Sequence, residues 1–202
     1  HGFAEMSRRV MASRAAWAGN PMDDAAAQAL LSAQTLQGLA QGYNPAAASQ
    51  TAAIAPGYAG TPDTGSGTGF VVVDRNGMAV ACSLTNYNPF GTGRIAPGTG
   101  VTPAAAPGVG PGRSAASLTA GIISNPNSLA FRFAIAGGEG AASAIAATEV
   151  LDAAYRRNQG LQGAINAPRD FHPGMPDLVA LEPEAGEANA QALRAMGHRV
   201  EI

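Results

Sequence analysis

The sequence has a single cysteine, no lysine, and no long run of apolar residues. Cys82 therefore has no partner for an intrachain disulfide, and its apolar surroundings predict a small buried side chain. No segment approaches the roughly 18 apolar residues that a membrane-spanning helix needs. The net charge of −2 is carried by scattered residues, so we expect no nucleic-acid-binding surface. The 202 residues, 46% of them hydrophobic, suffice for one substantial domain with a core.

The composition changes along the chain in a way that predicts three regions. They are a helical region, a linker rich in Pro, Ala, Gly, Ser and Thr, and a β-rich region followed by further helices: residues 1–42, 43–67 and 68–202. Helical spacing of apolar residues predicts helices over 3–18 and 23–39, with Asp23 or Asp24 near the start of the second. The linker lacks periodicity, so we expect it to be exposed.

Two β-hairpins are predicted in the third region. The first joins strands 69–74 and 78–84 at Arg75-Asn76-Gly77, and the second joins strands 118–124 and 129–136. The remaining predicted elements are a helix over 141–157, a short helix near Leu161, a strand over 178–182, a helix over 188–196 and a last strand from Arg199. Helices flanking paired hairpins indicate an α+β fold with an antiparallel sheet or a pair of sheets.

Thr68 stands at the head of the first predicted strand. A threonine becomes a good nucleophile when the peptide bond before it is cut, because its own free amine then acts as the general base. Threonine is also common in strands, so the spacing alone leaves a plain structural role open.

Gly137 and Gly138 lie where a predicted strand gives way to a helix. Their backbone N–H groups at such a junction are suited to stabilise an oxyanion, although the pair taken alone favours a simple tight turn. The three histidines, His1, His172 and His198, show no metal-ligand spacing with Cys82 or with a carboxylate. We therefore expect structural or surface histidines and no metal site.

Five motifs occur in an order that resembles the gamma-glutamyltranspeptidases, a family of N-terminal-nucleophile hydrolases. They are AEMSRRVMASRAAWAGNP at 4–21, VVVDRNGMAVACSLT at 71–85 with FGTG at 90–93, GPGRSAASLTAGII at 110–123, the glycines at 137–138, and NAPR at 166–169 followed by His172. The first motif resembles the end of the family's large subunit, and the others resemble most of its small subunit.

This resemblance implies an αββα sandwich, made as one precursor that cuts itself into two subunits before a threonine. The new N-terminal threonine attacks the γ-glutamyl carbonyl of glutathione or a related amide, and water, an amino acid or a peptide accepts the acyl group. Neither a metal nor an organic cofactor is implied. The chain is expected to be incomplete at both ends of the sandwich and inactive as an isolated fragment. Bacterial members are usually exported, which implies a periplasmic or secreted protein.

The resemblance also implies roles for individual residues. Thr68 is the candidate nucleophile, with Thr64 as the alternative, and Thr85 matches a second threonine that steadies the nucleophile by hydrogen bonding. Gly137 and Gly138 would form the oxyanion hole through their N–H groups. Three further residues are candidates for substrate binding: Ser117, which matches the second of two serines that hold the α-carboxylate, and Asn86 and Asn88, which flank the position of a family asparagine.

Several positions depart from the family pattern. Counting back from Asp74 places Gly67 in the nucleophile column, Tyr87 replaces the family asparagine, and Ala116 replaces the first paired serine. The loop at 100–107 contains no acidic residue to pair with the α-amino group of a substrate. A second hypothesis is therefore a non-catalytic member of the family that acts as a binding or structural protein. An unrelated β-rich binding module is the third.

Overall fold

The chain folds into two compact units, His1–Thr61 together with Asp152–Ile202, and Pro62–Leu151. The first unit is thus built from two separated stretches of sequence. The computed structural model describes residues 1–14, 17, 23–57, 67–87, 89–105, 118–138 and 140–202.

The described residues form seven α-helices and seven β-strands, which confirms the predicted α+β class. The helices are α1 (Gly2–Arg14), α2 (Asp24–Leu30), α3 (Ala33–Ala40), α4 (Thr51–Ile54), α5 (Gly140–Leu151), α6 (Leu161–Asn166) and α7 (Gly186–Ala195). The strands are β1 (Gly67–Val73), β2 (Ala79–Thr85), β3 (Thr119–Ser124), β4 (Phe131–Gly137), β5 (Asp170–Phe171), β6 (Val179–Leu181) and β7 (Val200–Glu201). A π-helical turn, Asp152–Arg156, continues α5. None of the described helices has the length and apolar character that crossing a membrane requires.

The prediction of one helix over 23–39 is wrong, because two helices, α2 and α3, occupy this stretch. Ser32 separates them and caps α3, where its Oγ accepts the Thr35 N–H at 3.2 Å. A serine hydroxyl competes for backbone N–H groups in this way and favours helix starts over helix interiors. Asp23 caps α2 as predicted, and its carboxylate accepts the Ala26 N–H at 2.7 Å.

The described part of the predicted linker, residues 43–57, is not a simple exposed segment. Thr51, the first residue of α4, is 1% exposed, and its hydroxyl donates to the Gly174 carbonyl at 2.7 Å. The Ala48 N–H donates to the Met196 carbonyl at 2.6 Å. Side-chain and backbone bonds to distant residues therefore fix this stretch within the first unit. Whether the regions 1–42, 43–67 and 68–202 mark processed pieces stays a prediction.

A small apolar core holds the first unit together. β5 pairs antiparallel with β6, and β6 pairs parallel with β7. The core residues come from α1, β6, α7 and β7: Ala4, Val179, Leu181, Ala190, Leu193 and Val200. The two-residue strand β5 has no sequence pattern of its own, since it is too short for an alternation to be read.

The second unit consists of two antiparallel hairpins and α5. β1 pairs with β2 from Gly67 opposite Thr85 to Val73 opposite Ala79, and β3 pairs with β4. The turn between β1 and β2 lies where Asn-Gly predicted it, and the Asp74 carboxylate accepts the N–H groups of Asn76 at 2.8 Å and Met78 at 2.9 Å. Both hairpins are thus confirmed.

Candidate functional site

Thr68 is the second residue of β1 and lies against the glycine pair that ends β4. A methyl group built on Gly138 would lie 3.1 Å from Thr68 Cα and 3.1 Å from the Gly67 carbonyl oxygen. One built on Gly67 would lie 2.2 Å from the Gly138 oxygen. Two backbones approach this closely only where no Cβ lies between them. Any larger residue at Gly67 or Gly138 would therefore clash with the facing backbone. The structure therefore brings the backbone of the candidate nucleophile against that of Gly138, one of the two candidate oxyanion-hole residues.

The two candidate threonines do not share a face of the hairpin. Thr68 lies opposite Leu84, whereas Thr85 lies opposite Gly67. Because residues directly opposite each other in a strand pair point to the same face, Thr85 shares its face with Gly67, and Thr68 points to the other. The Thr85 hydroxyl accepts the Tyr87 N–H at 3.0 Å. The residue beside Thr85 in this uncleaved chain is Gly67, the position that the family pattern assigns to the nucleophile.

The remaining predicted site residues are only partly described. The Asn86 carbonyl accepts the Ala105 N–H at 3.1 Å, which ties the end of β2 to the following loop. Thr64, Asn88 and Ser117 lie outside the described residues. The roles assigned to all of these residues stay predictions.

Ser83 is a residue of this region that the sequence did not single out. Its hydroxyl donates to the Gly137 carbonyl at 2.8 Å and accepts the Thr119 N–H at 3.3 Å. Since N–H and C=O point in opposite directions in a trans peptide, this bond also fixes the direction of the Gly138 N–H. Ser83 shares its face of the hairpin with Gly69 and Thr85. Its position two residues before Thr85 in a predicted strand was the sequence signal that it lies on the same face as this candidate site residue.

A second polar cluster, in the first unit, was also missed. Arg8 is 2% exposed and its guanidinium contacts five groups: Glu5 Oε1 at 2.7 Å, His172 Nε2 at 2.9 Å, Asp177 Oδ1 at 3.1 Å, His198 Nδ1 at 3.4 Å and the carbonyl of Ser49. Burying a guanidinium is tolerable only when it is paired and hydrogen-bonded, as it is here. The cluster thus links α1 to segments far away in the sequence.

Burial and charge shift the pKa values of this cluster. Burial, together with the positive charge of Arg8, lowers the pKa of His172 to about 4, and the same two causes lower the pKa of His198. Burial alone would raise the pKa values of Glu5 and Asp177. Hydrogen bonds from Ser49 and Thr51, respectively, and the charge of Arg8 outweigh burial and leave both pKa values below the usual range. At neutral pH the carboxylates are therefore ionised and these two histidines neutral.

Two of the three histidines lie close together and beside a carboxylate. His1 Nδ1 lies 2.8 Å from His198 Nε2, and Glu5 lies beside both, although His1 and His198 are 197 positions apart. The sequence predicts a helix start at Phe3, which leaves His1 outside the helix. Since α1 starts at Gly2, His1 and Glu5 are separated by one helical turn.

Comparison with known proteins decides the family. Residues 1–202 match the gamma-glutamyltranspeptidase family. The chain belongs to this family. It is 28% identical over 228 residues to the glutathione hydrolase proenzyme of Pseudomonas aeruginosa, and the match covers 100% of the chain but 40% of that relative. The chain thus spans about two fifths of the length of this curated relative.

Solved structures agree with the family assignment. The gamma-glutamyltranspeptidase of Pseudomonas nitroreducens complexed with L-DON is 25% identical, with a TM-score of 0.53 over 66% of this chain and 81% of that one. A variant of the Helicobacter pylori gamma-glutamyltranspeptidase gives a TM-score of 0.54 over 66% of this chain and 83% of that one, at 20% identity, and this likeness shows the fold alone. The predicted resemblance and the N-terminal-nucleophile hydrolase fold are both confirmed.

Proposed function

We propose that the protein containing this chain is a threonine amidohydrolase and acyltransferase that cleaves γ-glutamyl amides such as glutathione after cutting itself. The observation that supports this best, within a member of the gamma-glutamyltranspeptidase family, is the backbone contact between Gly138 and Thr68. Acyl transfer needs a nucleophile beside hydrogen-bond donors for the oxyanion, and here the backbone of Thr68 lies against that of Gly138.

In the proposed reaction, cleavage before Thr68 frees its amine, which takes the proton of the Thr68 hydroxyl as the oxygen attacks the γ-glutamyl carbonyl carbon. The N–H groups of Gly137 and Gly138 stabilise the oxyanion, and the amine product leaves with a proton. Water, an amino acid or a peptide then attacks the acyl-enzyme. Cleavage also releases Thr68 from Gly67, so its side chain is free to turn toward Thr85, which it does not face in the uncleaved strand.

The test is the intact mass of the full-length precursor after purification and incubation, with N-terminal sequencing of any smaller piece. We expect a new chain that starts at Thr68 and hydrolysis of a γ-glutamyl anilide. Thr68→Ala should abolish both, while Thr148→Ala, on the exposed side of α5, should change neither. A new chain that starts at Thr64 instead would move the nucleophile there.

A second candidate is a family member without catalysis that binds a ligand or another protein. Gly67 opposite Thr85 favours it, because the hairpin then places no hydroxyl beside the second threonine. The acid-free loop at 100–107 also favours it, since a buried substrate ammonium needs a counter-charge. A precursor that stays uncut under all conditions, with no turnover of the anilide, would support this candidate and reject the first.

The subunit arrangement and the location are part of the same proposal. A large and a small subunit would come from one precursor, as in the family, and the protein would be periplasmic or secreted. Cell fractionation with an antibody against the small subunit checks the location. Recovery of the protein only with the cytoplasmic fraction would contradict it.

A further inference from the structure

A cluster of three metal-ligand side chains lies at the start of α1, and we propose that it binds one zinc ion. The three residues, here called the His1 cluster, are His1, Glu5 and His198. His1 Nδ1 lies 2.8 Å from His198 Nε2, and His198 Nε2 lies 4.0 Å from Glu5 Oε1. One ligand atom from each residue lies within 4.8 Å of the other two.

The donor set and its spacing suit a zinc ion. Two imidazoles and one carboxylate are a set that holds zinc in proteins, with a fourth position left for water. Ligand bonds of about 2.0–2.2 Å place tetrahedral ligand atoms about 3.3 Å apart. The His1–His198 distance must therefore widen by about 0.5 Å and the His198–Glu5 distance must shorten by about 0.7 Å, changes within the reach of side-chain torsions.

The ring of His1 is already oriented as a ligand. Its Nε2 lies 2.9 Å from the carbonyl of Asn44, which only accepts, so Nε2 carries the hydrogen and the lone pair of Nδ1 points into the cluster. Ligating histidines typically donate their other N–H to a carbonyl in this way. The Tyr43 ring stacks on His1 with a centroid distance of 5.7 Å and holds the plane of the imidazole.

Glu5 supplies an oxygen that lacks a hydrogen bond. Its side chain is fully buried, and Oε1 accepts from Arg8 and from the Ser49 N–H at 3.0 Å. Among the described residues Oε2 has no hydrogen-bond partner, although Arg9 Nη2 lies 3.5 Å away. Buried carboxylate oxygens are rarely left in this state. The oxygen near His198 is Oε1, so a cation in the cluster reaches Oε2 when the carboxylate turns about its last torsion.

The surrounding charges limit the affinity. Arg8 and Arg9 already offset the charges of Glu5 and Asp177, so the ion brings charge that the protein does not neutralise. Arg8 Nη2 also lies 3.4 Å from His198 Nδ1, and this contact must lengthen when zinc occupies Nε2 and the proton moves to Nδ1. We therefore expect a hydroxide or another anion as the fourth ligand and a weaker affinity than at closed structural zinc sites.

The test uses the protein expressed without a polyhistidine tag, stripped of metal and titrated with zinc against a chromophoric chelator. We expect one zinc per chain. His1→Ala should weaken binding at least about 10-fold, because it removes a ligand rather than an outer partner. The matched pair Glu5→Gln and Glu187→Gln compares the cluster carboxylate with an exposed carboxylate of α7 that pairs with Arg194. Only the first should lower the affinity.

His1→Ala is the deciding variant, because His1 is half-buried and its loss leaves the buried Arg8 with all of its partners. Cobalt serves as a spectroscopic probe, since four-coordinate cobalt absorbs visible light far more strongly than the hydrated ion. The wild type should show these bands and His1→Ala should lose them. Absence of stoichiometric zinc binding would overturn the proposal, and so would zinc binding that His1→Ala leaves unchanged.

Discussion

Acid should destabilise the first unit through His172, and replacing this residue should remove much of the effect. The ring is fully buried, and its two nitrogens lie 2.9 Å from Arg8 Nε and 3.0 Å from the Gly174 N–H. The groups that face it are Arg8 of α1, which repels a proton, and Asp177 at 3.1 Å, which attracts one. His198 adds a further unfavourable charge when protonated. Burial and the charge of Arg8 outweigh the attraction of Asp177, so His172 resists protonation in the folded state.

The size of the effect follows from the pKa difference. The pKa of His172 falls from 6.5 to about 4 on folding. Between these values the unfolded chain binds a proton that the folded chain does not, so stability is complete above pH 6.5 and is lost as the pH falls toward 4. One histidine with this shift accounts for about 3 kcal/mol in total and for about 2 kcal/mol between pH 7 and pH 5.

Urea unfolding at a series of pH values, followed by the fluorescence of the single Trp17 in the first unit, measures this loss. His172→Gln should lose about 2 kcal/mol less than the wild type between pH 7 and pH 5. The comparison uses the change in the free energy of unfolding with pH rather than its absolute value. The constant loss of stability from contacts that glutamine does not make therefore cancels. Equal slopes in the two proteins, or a His172 pKa near 6.5 by nuclear magnetic resonance, would refute the reasoning.

Two further predictions concern the contact between the hairpins. Gly69→Ala places a methyl group 2.8 Å from the Gly137 oxygen and should lower the free energy of unfolding by about 1–3 kcal/mol, whereas Gly121→Ala, whose methyl group meets only Ile135 at 3.7 Å, should be tolerated. Equal stability of the two variants would show that β1 does not approach β4 so closely. Ser83→Ala removes a partner from both the Gly137 carbonyl and the Thr119 N–H and should cost about 1–3 kcal/mol in urea unfolding, against no measurable change for the exposed Ser128→Ala. Loss of less than about 0.5 kcal/mol in Ser83→Ala would mean that water replaces the hydroxyl.

Local chemistry made the hairpins predictable. The turn after β1 depends on Asp74, Asn76 and Gly77, which are close neighbours, and Gly77 has a φ of 84° that glycine adopts without strain. The family resemblance rested on motif order, which survives low identity. Side chains alternate between the two faces of a strand, so the pairing of Gly67 with Thr85 places Thr68 on the face opposite to Thr85. This conclusion needs the strand register, which only the structure gives.

The polar cluster of the first unit could not be predicted from the sequence, because its members are distant in the chain rather than close neighbours. Arg8 meets His172 and Asp177 after more than 160 intervening residues, and no spacing rule connects such positions. Thr51 and Ser49 stood in a stretch whose composition is typical of exposed linkers, yet their bonds to distant partners fix that stretch in the fold. Composition describes what a segment tends to do alone, and long-range hydrogen bonds override it.

Because the first unit is built from two separated stretches of sequence, its fold can be completed only after the second unit has been synthesised. α1 is synthesised before the helix and strand that flank His198, since Arg8 and His198, which lie 3.4 Å apart in the fold, are separated by 190 positions. At about 5–20 residues per second, this interval corresponds to about 10–40 s of translation. The second unit is complete in sequence before the last partners of Arg8 are made. During synthesis Arg8 of α1 therefore stays hydrated until the segment that contains His198 has been made and can pack against it.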